Sequence, residues 1–203
     1  MAITNLNELD LSKAYTFKDY LSWQFKERVE LLRGYISKMS PAPNSRHQII
    51  SWNLANLIGY SLRKKKCLAF SAPFDVYLPS INGQNDTIVQ PDICVICDTS
   101  KIKKHGCVGS PDLVIEILSP GNCEASPAQR EMKDKYDIYE QAGVKEYWVV
   151  FPSEQVLQIY SLKDGIYFSQ RPYTRGDKVN SSVLVGLELD LDDVFEDTLN
   201  LED

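Results

Sequence analysis

Glu116 stands in Leu-Val-Ile-Glu-Ile-Leu (113–118), a nearly continuous apolar run. A carboxylate buried there without compensation costs several kcal/mol, so it must be paired with a cation or held by a metal. Asp92 has the same character: it follows Gln90-Pro91 and precedes Ile-Cys-Val-Ile. Two acids on neighbouring strands can converge on one divalent ion, and Mg²⁺ is a hard cation that takes carboxylate, water and phosphate oxygens. A lysine is also at hand. The pattern predicts a helix from about Pro127 to Gln141, with Met132, Tyr136 and Tyr139 on its apolar face. Lys135, three after Met132 and four before Tyr139, shares that face, whereas Lys133 rotates away from it. A helix that follows a strand packs back across the sheet, which brings Lys135 toward Glu116. The set reads as a metal site with a lysine. The alternative is a buried Glu–Lys pair without catalysis.

Other residues carry weaker signals. A hairpin symmetric about Gln84 would set Asp75 opposite Ile93 and near Asp92, to support a metal or only to hydrogen-bond within the sheet. His47 opens a helix and is a possible secondary site residue, and His105 lies in a basic loop; a lone histidine in such a place is more often a capping or surface residue. Bases cluster at Arg63, Lys64 and Lys65 (with Lys66) and at Lys101, Lys103 and Lys104. Each cluster is a solvated helix end or loop, or a set of phosphate contacts. No Ser-His-Asp order, GxSxG, Walker loop or GxGxxG is present.

These residues need a scaffold. A chain of 203 residues, 43% hydrophobic and 25% charged, is an ordinary globular composition and buries a sizeable core. We expect one domain, 1–203, with a core over about 16–173 and an acidic C-terminal segment, 188–203. That segment holds eight acids and no base, which leaves +2 on residues 1–187 of a chain whose net charge is −6. It reads as a solvated last turn and tail, or as an edge that repels nucleic acid or pairs with bases. No apolar run approaches the ~18 residues of a membrane span, and Met1 to Asp10 lacks a cationic start and an apolar stretch, so no membrane partner and a cytoplasmic location are expected. The five cysteines, an odd count, predict reduced thiols. Cys94 and Cys97, three apart on a predicted strand, point to opposite faces and cannot share zinc there.

Along the chain, Thr16 caps a short helix, and Val29–Leu32 and Tyr35–Met39 form a hairpin about Arg33-Gly34. Asn44 or Ser45 caps a helix from Arg46 to about Arg63 with Ile50, Leu54, Leu57, Ile58 and Leu62 at helical spacing. Leu68–Leu78 and Thr87–Cys97 form a second hairpin across 82–86. Lys101–Gly109 reads as a loop, Leu113–Leu118 as a central strand broken by 119–122, and Glu146–Val150 as another buried strand. Val156–Ser161 and Tyr167–Tyr173 make a final hairpin around 163–165. The class is α/β: a central mixed β-sheet flanked by helices, with an N-terminal and a C-terminal hairpin.

The segments VQPDICVICD (89–98), GSPDLVIEILSP (109–120) and AGVKEYWVV (142–150), the helix carrying Lys135 and Tyr139, and RVELLRGYISKMSPAPNSRHQ (28–48) resemble the Uma-type family, also called domain of unknown function 820, of the PD-(D/E)xK restriction-endonuclease-like superfamily. The resemblance runs from about Phe17 to Tyr173 and implies a restriction-endonuclease-like fold. It also implies endonuclease activity on nucleic acid, chiefly DNA, with Mg²⁺ (or Mn²⁺) as cofactor. By the superfamily pattern Asp92 and Glu116 are metal ligands. Leu118 occupies the usual lysine position, and the lysine has moved to the following helix as Lys135. Glu30 matches an acidic position of the N-terminal signature and is a further candidate ligand. Many relatives dimerise, so a homodimer is a possible assembly. The rival expectation is a catalytically silent nucleic-acid- or protein-binding module on the same fold.

Overall fold

The structure is a computed structural model that describes residues 3–39, 44–79, 86–119 and 127–197, with side chains undescribed from 127 to 132. The expected turn at 82–85, the break at 120–122, Cys123, the side chains of Glu131 and Met132, and the acids Glu202 and Asp203 lie outside the described residues.

Short helix α1 (Phe17–Ser22) begins at Thr16, whose hydroxyl accepts from the Asp19 N–H while the Asp19 carboxylate accepts from the Thr16 N–H. The hairpin β1 (Val29–Leu32) and β2 (Tyr35–Lys38) turns on Arg33-Gly34, both at positive φ. Asn44 caps α2 (Ser45–Ser61), which buries His47, Ile50, Leu54 and Ile58.

The long hairpin expected next is split. Leu68–Leu78 forms β3 (Leu68–Ser71) and β4 (Val76–Leu78), and its partner forms β5 (Thr87–Val89) and β6 (Ile93–Ile96). Both breaks contain a proline, Pro73 and Pro91, which cannot donate to a ladder. At these breaks the chain passes from one sheet into another. Val76 faces Val89 and Leu68 faces Ile96, so the register differs from a hairpin centred on Gln84 and Asp75 meets Gln90 rather than Ile93.

The basic stretch after β6 is not an open loop. It forms a small hairpin, β7 (Ile102–Lys103) and β8 (Gly106–Val108). Gly106 makes this possible: a Cβ there would fall 2.1 Å from the Asp75 carbonyl oxygen, which accepts from the Cys107 N–H. Then come β9 (Leu113–Ile117), α3 (Pro127–Ala142) and β10 (Glu146–Phe151), a parallel strand–helix–strand unit. Gly143, at φ 81, follows α3, where Gly143 N–H and Val144 N–H donate to the Glu140 and Tyr139 carbonyls.

Two mixed sheets result. One runs β2-β1-β5-β4-β8-β7. The other is central and runs β12-β11-β10-β9-β6-β3, with β11 (Val156–Lys163) and β12 (Ile166–Ser169) as the expected hairpin and β13 (Tyr173–Thr174) beside β11. Alternation along the central strands splits the core. Ile93, Ile115, Trp148 and Val150 face α2, and Cys94, Val114, Tyr147 and Val149 face Ile138 and Tyr139 of α3. Among the described residues no helix is long and apolar enough to cross a membrane.

The chain does not leave the core at Tyr173. The hairpin β14 (Lys178–Asn180) and β15 (Glu188–Asp190) and the short α4 (Leu191–Val194) bury Val179, Leu184, Leu187, Leu189, Leu191, Val194 and Phe195 in the cluster under α2. The acids interleaved with these leucines face outward, and two pair locally, Glu188 with Lys178 and Asp192 with Arg175. The segment is therefore an amphipathic part of the fold rather than a solvated tail. Hydrophobic alternation, hidden by its acidity, was the overlooked signal.

The cysteine expectation also changes. Because Leu68 faces Ile96, Cys67 and Cys97 are the next cross-strand neighbours, and they form a disulfide. Cys94 and Cys107 are free and buried. Cys94 and Cys97 do sit on opposite faces, in the α3-side and α2-side clusters.

Glu146 ties the last segment to the central sheet. It is fully buried, and its two oxygens accept from Trp148 Nε1, Ser181 Oγ, Ser182 N–H and Ser182 Oγ. Glu146→Ala would strand several of these donors, at about 1–3 kcal/mol each. We expect urea unfolding of Glu146→Ala to show a loss of roughly 3–6 kcal/mol, and Glu146→Gln to lose less because it keeps one acceptor.

Candidate active site

The acids of the sequence argument meet at the seam between the sheets. The ladder of β6 and β9 ends at Ile93 opposite Ile115; Asp92 directly precedes Ile93, Glu116 directly follows Ile115, and Asp92 lies near enough to act on the Glu116 charge. Asp92 ends the crossover at Pro91, and its Oδ2 accepts from the Ile117 N–H at 2.8 Å, across the strand boundary. Glu116 points to the α3 side.

Lys135 reaches Glu116 as the helical face predicted. Its Nζ donates to Glu116 Oε1 at 3.1 Å and to Glu30 Oε1 at 3.2 Å, and it lies 3.1 Å from Glu30 Oε2. One turn on, the Tyr139 hydroxyl donates to Glu116 Oε1 at 2.7 Å. Lys135 and Glu116 are 7% and 8% exposed and Glu30 is fully buried, so these charges interact with little screening by water. Asp92, with its side chain 22% exposed, forms the solvent side of the site.

Glu30 is a counter-charge in this arrangement. One of its oxygens accepts from the Gln90 N–H at 2.7 Å, and both lie against Lys135. Glu30, the expected further metal ligand, faces the lysine from β1, in the other sheet. His47, expected at a cap or on the surface, is buried in the first turn of α2 with Nε2 3.3 Å from Asp92 Oδ2. Asp75 hydrogen-bonds instead to Gln90 Nε2 at 2.7 Å and to the Tyr20 hydroxyl at 3.2 Å, within a network that the Arg28 guanidinium completes on Gln90 Oε1.

Sequence reasoning missed Gln90, which bridges Glu30 and Asp75, and the hydroxyl of Tyr139. Gln90 directly precedes Pro91-Asp92, and Tyr139 follows Lys135 by four residues, so both were readable as neighbours of the site. A second Pro-Asp, Pro111-Asp112, is structural: Asp112 accepts from the Cys97 N–H at 2.7 Å and pairs with Lys145 at 2.6 Å. The basic clusters do not flank the acids. Arg63, Lys64 and Lys65 follow the far end of α2, about 25 Å from its start at 1.5 Å per residue. Lys101 and Lys103 hold local carbonyls, those of Ser110 and Ser100, and Lys104 and His105 are exposed on the same small hairpin.

Three carboxylates and one lysine leave an excess of negative charge. Burial pushes the Glu116 pKa up, Lys135 opposes the shift, and Asp92 and Glu30 add to it, giving about 7. For His47 burial works against protonation, but Asp92, the Ile117 backbone and Glu116 outweigh it and the pKa is raised. Tyr139 is held far above its ordinary range by burial and Glu116, so it stays a neutral donor.

The donor set fits a hard divalent cation. Among the described residues, Glu116 Oε2 and Asp92 Oδ1 accept no hydrogen bond. No three His, Cys, Asp or Glu side chains converge among the described residues. An ion would therefore take two carboxylates and complete its shell with water or phosphate oxygens, as Mg²⁺ does.

The raised Glu116 pKa has a stability consequence without metal. The folded state keeps the proton to about pH 7, and the unfolded carboxyl releases it near 4.5. The contribution is full below the unfolded value and is lost as pH rises through the folded one. We expect urea unfolding in chelator to show stability falling between pH 5 and 7 by at most ~1.4 kcal/mol per pH unit from this group. Glu116→Gln should flatten that slope while Lys135 keeps Glu30. An unchanged slope would count against the buried charge.

The Uma2 family, described as "Putative restriction endonuclease", matches residues 17–192. An uncharacterized protein of Synechocystis sp. is 25% identical over 181 residues, spanning 88% of this chain and 90% of its own. A crystal structure from Anabaena variabilis, described as a putative nuclease belonging to DUF820, superposes with a TM-score of 0.68 at 21% identity. It covers 89% of this chain and 97% of its own, and it shares the fold. With the family pattern spanning the strands and helices that build the site, the chain belongs to the Uma2 family, a nuclease-like family of the α/β class.

Proposed function

We propose that the protein is a divalent-metal-dependent endonuclease that hydrolyses phosphodiester bonds, with DNA as the expected nucleic acid. The observation that carries the reading is the gathering of Asp92 and Glu116 at the adjoining ends of β6 and β9, beside a lysine held by Glu116 and Glu30. The family description and the general use of divalent metals by restriction-endonuclease-like families support it.

Asp92 and Glu116 would hold Mg²⁺ or Mn²⁺. Such a cation polarises a phosphate oxygen and lowers the pKa of an attacking water. The chain supplies the rest. The Ile117 N–H and His47 orient Asp92, and Tyr139 and Lys135 fix one oxygen of Glu116 so that the other is presented. Lys135 places its ammonium beside the site, where it can offset charge developing on the phosphoryl oxygens. Glu30 and the Gln90 N–H keep that ammonium from swinging away. Cleavage of two strands would suit a two-fold pair of protomers.

One observation favours the silent module: Lys135 already has two carboxylate partners, as a purely structural ion pair would. Plasmid nicking and metal calorimetry separate the readings. We expect nicking with Mg²⁺ or Mn²⁺, none with chelator, and binding without turnover in Ca²⁺. Asp92→Ala and Lys135→Ala should each reduce cleavage by at least about 10²-fold. Asp92→Ala should also abolish the Mn²⁺ binding heat, because it deletes a ligand. Lys135→Ala should leave that heat intact or strengthen binding, because it deletes a competing cation. Absence of both cleavage and metal heat in the wild type would establish the silent module.

A further inference from the structure

From Leu31 to Phe74 the chain carries seven bases and no acid, while the remaining residues carry 15 bases and 28 acids, a net −13. This segment is β2, α2 and β3 with their connections. Helix α2 begins at the candidate site, where His47 touches Asp92, and ends at the bases Arg63 to Lys66. Its outer face is unusual for a helix in an acidic protein. Trp52 and Tyr60 are 68% and 73% exposed, and Asn56 and Gly59 between them are exposed too. At ~100° per residue these four positions fall within an arc of about 100°. The Arg63 guanidinium lies over the Tyr60 ring, 5.2 Å from its centroid.

We infer that this face of α2 is a binding track for single-stranded nucleic acid. The reasoning is one of complementarity. The exposed bases Arg63 to Lys66 follow directly on Tyr60 and favour a polyanion over a second copy of this acidic chain. Exposed aromatic rings then select among polyanions. Unpaired bases offer free π-faces to Trp52 and Tyr60, whereas a duplex keeps its bases stacked inside. The two rings are about 12 Å apart along the helix, a span of three to four nucleotides at the ~3.4 Å rise of one stacked strand. The exposed Arg63, Lys64 and Lys66 and the Lys65 ammonium, which also donates to the Val185 carbonyl, take phosphates at the far end. The binding track does not rest on the nuclease reading.

The test measures binding without catalysis. Fluorescence anisotropy in EDTA, with a labelled oligothymidylate of about 20 nucleotides and a duplex of the same length, reports the two affinities separately. Trp52→Ala and Tyr60→Ala should each weaken oligothymidylate binding by about 5- to 100-fold, the loss of one base–aromatic stack. Their melting temperatures and their duplex affinity should stay at the wild-type values. Trp52→Phe, which keeps a stacking ring, should retain most of the affinity and guards against a folding defect. Wild-type-like binding by both alanine variants, an equal loss on duplex, or no strand binding by the wild type overturns the proposal. So does a wild-type dimer in sedimentation that Trp52→Ala dissociates, since the face would then be a self-interface. A protein that binds strands in EDTA yet never cleaves them would refute the nuclease reading and keep the track.

Discussion

Glu116 is a carboxylate on the most buried strand of the central sheet, and compensation of its charge organises the surrounding structure. Lys135 arrives from α3, Tyr139 adds a neutral hydrogen bond one turn later, and Glu30 comes from the other sheet to hold the lysine. Each partner is itself buried, so a defect in one propagates to the others through a medium that screens charge poorly. The compensation stops short of neutrality. Asp92, close by, adds a further negative charge, and the shifted Glu116 pKa expresses the imbalance. That surplus of negative charge is the feature on which the proposed cation binding rests.

Comparison with the other buried acids sharpens that description. Asp112 is satisfied by a backbone N–H and Lys145, and Glu146 by an indole, two hydroxyls and a backbone N–H. Both oxygens of each are committed, and both residues act as fasteners. Asp112 secures the end of β6, and Glu146 secures the segment around Ser181. Burial of a carboxylate alone therefore does not mark a functional residue in this protein. Glu116 differs from them in its company, because Asp92 and Glu30 both add negative charge that Lys135 opposes.

The site exists because the chain changes sheets twice. Prolines 73 and 91 interrupt both arms of what would otherwise be one long hairpin, and the interruption lets β4 and β5 join β1 while β3 and β6 join β9. Asp92 sits immediately after the second crossover, Glu30 lies on the neighbouring strand of the other sheet, and α3 spans the seam. Gln90, the residue at the crossover, uses its backbone for Glu30 and its side chain for Asp75 and Arg28.

The sequence by itself determined the elements and the identity of the central pair. Apolar periodicity located α2, β9, α3 and β10 within a few residues, and the unlikely polarity of Glu116 in an apolar strand singled it out. Helical geometry put Lys135 and Tyr139 on one face, because positions four apart along a helix are neighbours whatever the fold. What the sequence could not determine depended on register and on contacts between distant segments. The nearness of Asp92 to Glu116, the Cys67–Cys97 bond and the meeting of Asp75 with Gln90 follow from strand offsets that a one-residue slip would change. His47 and Glu30 were ambiguous because their environments are made by β6, β9 and α3, up to about a hundred residues away. The role of the C-terminal leucines was likewise settled only by packing under α2, since their acidic neighbours gave the segment the composition of a solvated tail. Local chemistry fixes which residues are able to act; only the three-dimensional pairing of strands decides which of them share a charge.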